Sequence, residues 1–80
     1  MFINKTSSGR NNICGEKITE FRKKENISQR EFADRLQLTG LDIDKNAVQR
    51  MESGQRFITD IEITYLCQVM KITPNELFEI

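Results

Sequence analysis

Residues 46–56, with the sequence NAVQRMESGQR, carry side chains whose chemistry suits the recognition of nucleic-acid bases. An asparagine or glutamine amide can form two hydrogen bonds with adenine, and an arginine guanidinium can form two with guanine. The segment has a helical pattern in which only Val48 and Met51 are large apolar residues on one side. The other side is polar and carries Lys45, Asn46, Gln49, Arg50 and Ser53.

A polar helix face is in most proteins simply solvated, so the surrounding elements must decide its role. The first helix is predicted from about Asn12 to Lys24. Its inward stripe contains Ile18, Phe21, Arg22 and Glu25, and the charge at Arg22 indicates a partner elsewhere in the fold.

Capping patterns predict four further helices. Ser28 with Glu31 opens the second helix, and Gly40 ends it. Asp44 caps the third, over about 45–53, and Gly54 suits a left-handed position after it. Thr59 with Glu62 and Thr73 with Glu76 open the fourth and fifth helices, and Leu77, Phe78 and Ile80 close the core. We therefore expect an all-α domain over 12–80, preceded by a flexible arm at 1–11.

Charge and composition limit the classes of function that this protein can have. The 80 residues carry 12 basic and 12 acidic side chains, but residues 1–58 are net basic and residues 59–80 net acidic, so one face could attract a polyanion. The absence of histidine removes the commonest general base and metal ligand. Cys14 and Cys67 lack metal-site spacing and suggest buried thiols in a cytoplasmic protein. No apolar run is long enough to span a membrane.

The only metal-like pattern is DIDKN at 42–46, which matches the first ligands of a calcium loop. Ala47 stands where such a loop needs glycine, and Ser53 stands where it needs glutamate. We therefore predict neither a metal nor a cofactor. With no nucleophile paired to a base either, the sequence does not indicate an enzyme.

SQREFADRL followed by NAVQRMESGQR resembles the helix-turn-helix of the phage-repressor and Cro-like family, often called the XRE type. The resemblance extends from Gly15 to Phe78. It implies a five-helix, lambda-repressor-like fold whose third helix enters the major groove. The matching residues are Gln29, Ala33, Leu36, Val48, Met51, Glu52 and Gly54.

The resemblance implies base contacts at Lys45, Asn46 and Arg50, with Gln49 beside them, and an ion pair between Arg22 and Glu52. Phosphate contacts should flank the third helix. At the start of the second helix, where the helix dipole favours an anion, the candidates are Ser28, Gln29 and Arg30. At the far end they are Ser53, Gln55 and Arg56.

One departure concerns the turn between the two helices. Leu36 and Val48 are twelve positions apart, five more than in the common form of the family, so the sequence resembles a subset with an extended turn. We expect Leu38, Leu41 and Ile43 to anchor the added residues to the core. Lys71 also stands where the family often has glycine.

Two functions compete. The leading hypothesis is a sequence-specific transcriptional regulator, repressor-like and homodimeric on a palindromic operator in double-stranded DNA. The alternative is a protein-interaction module with the same fold, or an antitoxin that binds both a protein partner and its own promoter. The zero net charge and the acidic last third favour the alternative modestly.

Overall fold

The computed structural model describes residues 5–79, and over this range the chain forms five α-helices and no β-strand. The all-α fold expected from the sequence is confirmed. The helices pack α3 against α1 and α2, and α4 against α2 and α5. Their bounds are α1 Gly15–Glu25, α2 Gln29–Thr39, α3 Lys45–Ser53, α4 Asp60–Met70 and α5 Pro74–Phe78.

Side-chain caps start four of the helices. Asp44 accepts a hydrogen bond from the amide of Ala47 at 2.9 Å and so begins α3. Thr59 and Thr73 each belong to a complete capping box, as their sequences predict. At α2 only half of the predicted box forms. Ser28 accepts from the amide of Glu31, but the carboxylate of Glu31 binds Arg35 at 3.1 Å and does not turn back to the cap.

Residues in the left-handed conformation end the helices. Gly40 and Gly54 have φ of 114° and 82°, which glycine adopts without steric cost. Asn26 follows α1 with a φ of 57°, and asparagine tolerates this conformation better than most residues. Lys71 follows α4 with a φ of 58°, so a lysine occupies a position that favours glycine.

The core lies between α1, α2, α3 and α4. Ala33 is buried where α2 approaches its neighbours, and its small side chain permits the close approach. Phe21 packs edge-on against Phe32, with ring centroids 5.9 Å apart. The expected contribution of Ile80 lies outside the described residues. The largest fully buried side chains are Phe32, Ile18, Leu36, Met51, Leu66, Leu77 and Val48.

The added residues of the turn are used differently from the expectation. α2 continues to Thr39, and only residues 40–44 link it to α3. Ile43 is buried, and its carbonyl accepts from the side chain of Gln37 at 2.7 Å. The prediction for Leu38 is wrong, because the longer helix places this side chain on the outer face, where it is 88% exposed. Leu41 is half-buried against the core.

The N-terminal region also differs from the expectation. α1 begins at Gly15, three residues later than predicted. Residues 1–4 of the expected arm lie outside the described range. Arg10 and Asn11, the last two residues of that arm, are fixed to the C-terminal end of α3 by hydrogen bonds to Glu52, Gly54 and Gln55. They belong to the folded domain.

Candidate nucleic-acid interface

The orientation of α3 follows from its two apolar residues. Val48 and Met51 are completely buried, and they fix one side of the helix against α1 and α2. Because a helix turns by 100° per residue, the opposite side must face outward. The side chains exposed there are Lys45, Asn46, Gln49 and Arg50, the four predicted base-reading residues.

The two cations on this face are available to an external partner. Neither Lys45 nor Arg50 forms a salt bridge with another residue in the described range 5–79. Arg50 lines a shallow groove of about 440 Å³ together with Asp42 and Asp44 of the preceding turn. The exposed face of α3 therefore combines donors that suit guanine with nearby carboxylates, which repel phosphate unless the rest of the surface compensates.

One predicted phosphate cluster lies at the start of α2. Ser28 and Arg30 are exposed there. Ser28 already uses its hydroxyl oxygen as the helix cap. Gln29 is half-buried, and its amide donates to Oε1 of Glu52 at 3.1 Å. The structure thus places these three residues together, with Gln29 held toward α3.

The second predicted phosphate cluster follows α3. Ser53 and Gln55 are exposed, and Gly54 turns the chain between them. Arg56 behaves differently from the expectation, because its guanidinium forms a two-point ion pair with Glu62, at 2.8 and 2.6 Å. The side chain of Glu62 is only 9% exposed. Arg56 thus has a structural partner that the sequence pattern did not suggest.

From the sequence, Glu62 is predicted only as the partner of Thr59 in a capping box. It does accept from the amide of Thr59, at 2.9 Å, but it also anchors Arg56. The hydrogen bond from Arg56 outweighs burial and lowers the pKa of the Glu62 carboxyl. In the sequence, the only sign of this ion pair is a single basic residue, Arg56, shortly before the cap Thr59. One basic residue alone is a weak indication of an ion pair.

Arg22 and Glu52 form another ion pair with little solvent exposure. Nε of Arg22 donates to Oε2 of Glu52 at 2.6 Å, and Nη2 donates to Oε1 at 2.9 Å. Arg22 also donates to the carbonyl of Ile27. Burial opposes the ionisation of Glu52, but hydrogen bonds from Arg22 and Gln29 outweigh it, so the pKa of this carboxyl is lowered. The network joins α1, α2 and α3.

The two cysteines have raised pKa values. Burial raises the pKa of the Cys14 thiol to about 11, and it also raises the pKa of Cys67, so both stay protonated and weakly nucleophilic. Within residues 5–79, no three acidic or cysteine side chains form a group that could hold a metal. The same range contains no helix long and apolar enough to cross a membrane.

Comparisons with known proteins agree with this geometry. A family model described as helix-turn-helix matches residues 18–77, which cover all of α2, α3 and α4 and most of α1 and α5. Neither the curated proteins nor the solved structures include a match.

Proposed function

The chain belongs to the helix-turn-helix family of DNA-binding regulators, and on that premise we propose that it reads a specific DNA sequence through α3 and acts as a repressor-like regulator. The observation that carries the proposal is the shared exposure of Lys45, Asn46, Gln49 and Arg50 opposite the buried Val48 and Met51.

The dimensions of α3 suit this role. Its nine residues give a length of about 13 Å, and the major groove of B-DNA is about 12 Å wide. Asn46 and Gln49 present amides that can bond adenine, and Arg50 presents the two-point donor that suits guanine. Lys45, in the first turn, lies where helix-turn-helix proteins commonly contact bases.

Phosphate contacts would set the register of α3 in the groove without reading sequence. We propose Ser28, Gln29 and Arg30 on one side of α3, and Ser53 with Gln55 on the other. Since the guanidinium of Arg56 is bound to Glu62, a contact from Arg56 to phosphate would have to use its remaining donors. Arg56 is therefore the weakest member of the predicted set.

We further propose that two copies bind a palindromic operator. A single α3 can read only a few base pairs, and two copies related by a two-fold axis would double that number. Half-sites one duplex turn apart, about 34 Å, would then place both reading helices on the same side of the DNA.

An interaction module or antitoxin is the second candidate, and exposed apolar residues beside the acidic region favour it. Phe57 is 52% exposed and Ile61 is 65% exposed, on either side of the exposed Asp60. Exposed apolar side chains suit a protein surface better than a phosphate backbone. A regulator that also binds a protein would use these side chains for the protein and α3 for DNA.

The decisive experiment is selection of bound duplexes from a random DNA pool. The wild-type chain should enrich one palindromic sequence, and a variant with Lys45, Asn46 and Arg50 all replaced by alanine should enrich none. Enrichment of the same sequence by both proteins would exclude α3 as the reading element. No enrichment by the wild type would favour the interaction module, and a salt titration would then measure whatever nonspecific DNA affinity remains.

A further inference from the structure

The C-terminal end of α3 is held by the segment that precedes α1. A helix end leaves carbonyl groups without partners inside the helix, and these need donors from elsewhere. Nη2 of Arg10 donates to the carbonyl of Glu52 at 2.7 Å, and Nδ2 of Asn12 donates to the carbonyl of Met51 at 3.0 Å. The positive charge of Arg10 also lies at the negative end of the helix dipole.

The side chain of Asn12 contacts three different parts of the fold. Its Oδ1 accepts from the amide of Gly15, the first residue of α1, at 2.8 Å. Its Nδ2 donates to Met51 at the end of α3 and to the carbonyl of Arg56 in the following loop, at 2.8 Å. One side chain, only 9% exposed, therefore joins the start of α1, the end of α3 and the loop that leads to α4.

Residues 10–15 approach the C-terminal end of α3 very closely. A Cβ atom at Gly15 would lie 1.9 Å from the carbonyl oxygen of Met51, so only glycine permits the approach of α1 to α3. At Gly54, a Cβ atom would lie 2.8–2.9 Å from the side chain of Arg10. The backbone amide of Asn11 adds a hydrogen bond to the carbonyl of Gly54 at 2.7 Å. The end of α3 is thus enclosed from one side by residues 10–15.

We propose that Asn12 is a positioning residue for DNA recognition, which fixes the C-terminal end of α3 and so sets the placement of the reading face. The inference rests on the proposed function and adds to it a residue that does not touch DNA, since Asn12 is buried away from the exposed side chains of α3. Base contacts require more accurate placement than contacts to phosphate, so the loss of Asn12 affects sequence discrimination most.

The test compares Asn12→Ala with Asn75→Ala, which removes the same amide from the exposed surface of α5. Affinities are measured for the selected duplex and for an unrelated duplex, over a range of salt concentrations, at a temperature where unfolding curves show both variants folded. Asn12→Ala should bind the selected duplex about tenfold more weakly and the unrelated duplex within about twofold of the wild type, which corresponds to the loss of one base contact. Its salt dependence should not change, because no phosphate contact is removed.

If Asn12→Ala does not fold, Arg10→Met replaces it, since methionine has no donor and the change removes the hydrogen bond to Glu52 from a partly exposed site. Equal weakening on both duplexes, or none on either, would overturn the positioning role.

If the wild type itself does not distinguish the duplexes, the proposed function fails instead. Amide hydrogen exchange at residues 54–56 then tests the remaining claim, that Asn12 fixes the C-terminal end of α3. Faster exchange in the variant than in Asn75→Ala supports a fixed helix end, and unchanged exchange overturns it.

Discussion

Glu52 of α3 receives both donor groups of the Arg22 side chain, at 2.6 and 2.9 Å, although the two residues are thirty positions apart in the sequence. The side chain of Glu52 is only 8% exposed and that of Arg22 16%. If one partner is removed, water can therefore hydrate the other only poorly. The pair also orients Gln29, which donates to the same carboxylate. The ion pair and the Gln29 amide thus join α1, α2 and α3.

Removal of either partner should destabilise the domain strongly. We expect Arg22→Met or Glu52→Gln to lower the free energy of unfolding by about 3 kcal/mol, because each leaves a buried polar group without its partner. The double variant should cost clearly less than the two single changes added together. Urea unfolding measures these values. The exposed pair Glu31 and Arg35 is the matched control, and Glu31→Gln should change stability by less than about 0.5 kcal/mol.

Acid should destabilise the protein through the two ion-paired carboxylates that are least exposed among the described residues. Glu52 and Glu62 both have pKa values lowered in the folded state from the ordinary 4.5. Their interactions are therefore fully present above about pH 4.5 and are lost as the pH falls through the lowered values. Unfolding curves between about pH 6 and pH 3 should show a steep loss of stability in the wild type. A variant with Glu52→Gln and Glu62→Gln should show a shallower one, and parallel curves would contradict the assignment.

Local signals explain why most of the helices could be predicted. A cap such as Asp44 or Thr73 acts within three residues of itself, so its sequence pattern carries the whole interaction. The glycine after α3 is equally local. The pairing of Arg22 with Glu52 is a long-range contact, and only the likeness to a family suggested it.

Contacts between distant segments account for what the sequence did not predict. Arg10 appeared to belong to a polar arm because its partners, Met51 and Glu52, lie some forty positions away. Glu62 satisfies its capping role and binds Arg56 as well, and no periodicity indicates the second bond. Leu38 was misplaced because α2 continues past Leu36, and two steps along a helix lead to its opposite side.

Replacement of Lys71 by glycine should stabilise the domain. Lys71 has a φ of 58°, where a Cβ atom costs roughly 1 kcal/mol and glycine costs almost nothing. Part of this gain is offset by the greater freedom of glycine in the unfolded chain, so we expect a net increase of about 0.5 kcal/mol in the free energy of unfolding. Lys71→Ala retains the Cβ atom and is the control. A gain of the same size in both variants would assign the effect to the lost charge.

The proposed phosphate contact at Arg30 predicts a change in salt dependence. Arg30→Ala should weaken binding to selected and unrelated DNA by similar factors, since phosphate contacts do not read sequence. The slope of the logarithm of affinity against the logarithm of salt concentration should fall by about 1. Lys71→Gly removes one positive charge at the end of α4, outside the proposed interface, and should leave the slope unchanged. A smaller slope in both variants would show that overall charge, and not a contact at Arg30, determines the effect.

The proposed base contact at Arg50 predicts a loss of selectivity. Arg50→Ala should cost about 1–3 kcal/mol of binding free energy on the selected duplex and relax the preference at one base pair. Arg50→Lys separates charge from geometry, because lysine retains the charge but lacks the planar two-point donor. We expect Arg50→Lys to keep the salt dependence of the wild type and to lose the preference at the same base pair. If Arg50→Lys retains that preference, the planar guanidinium is not required, and any cationic donor at position 50 is sufficient for the contact.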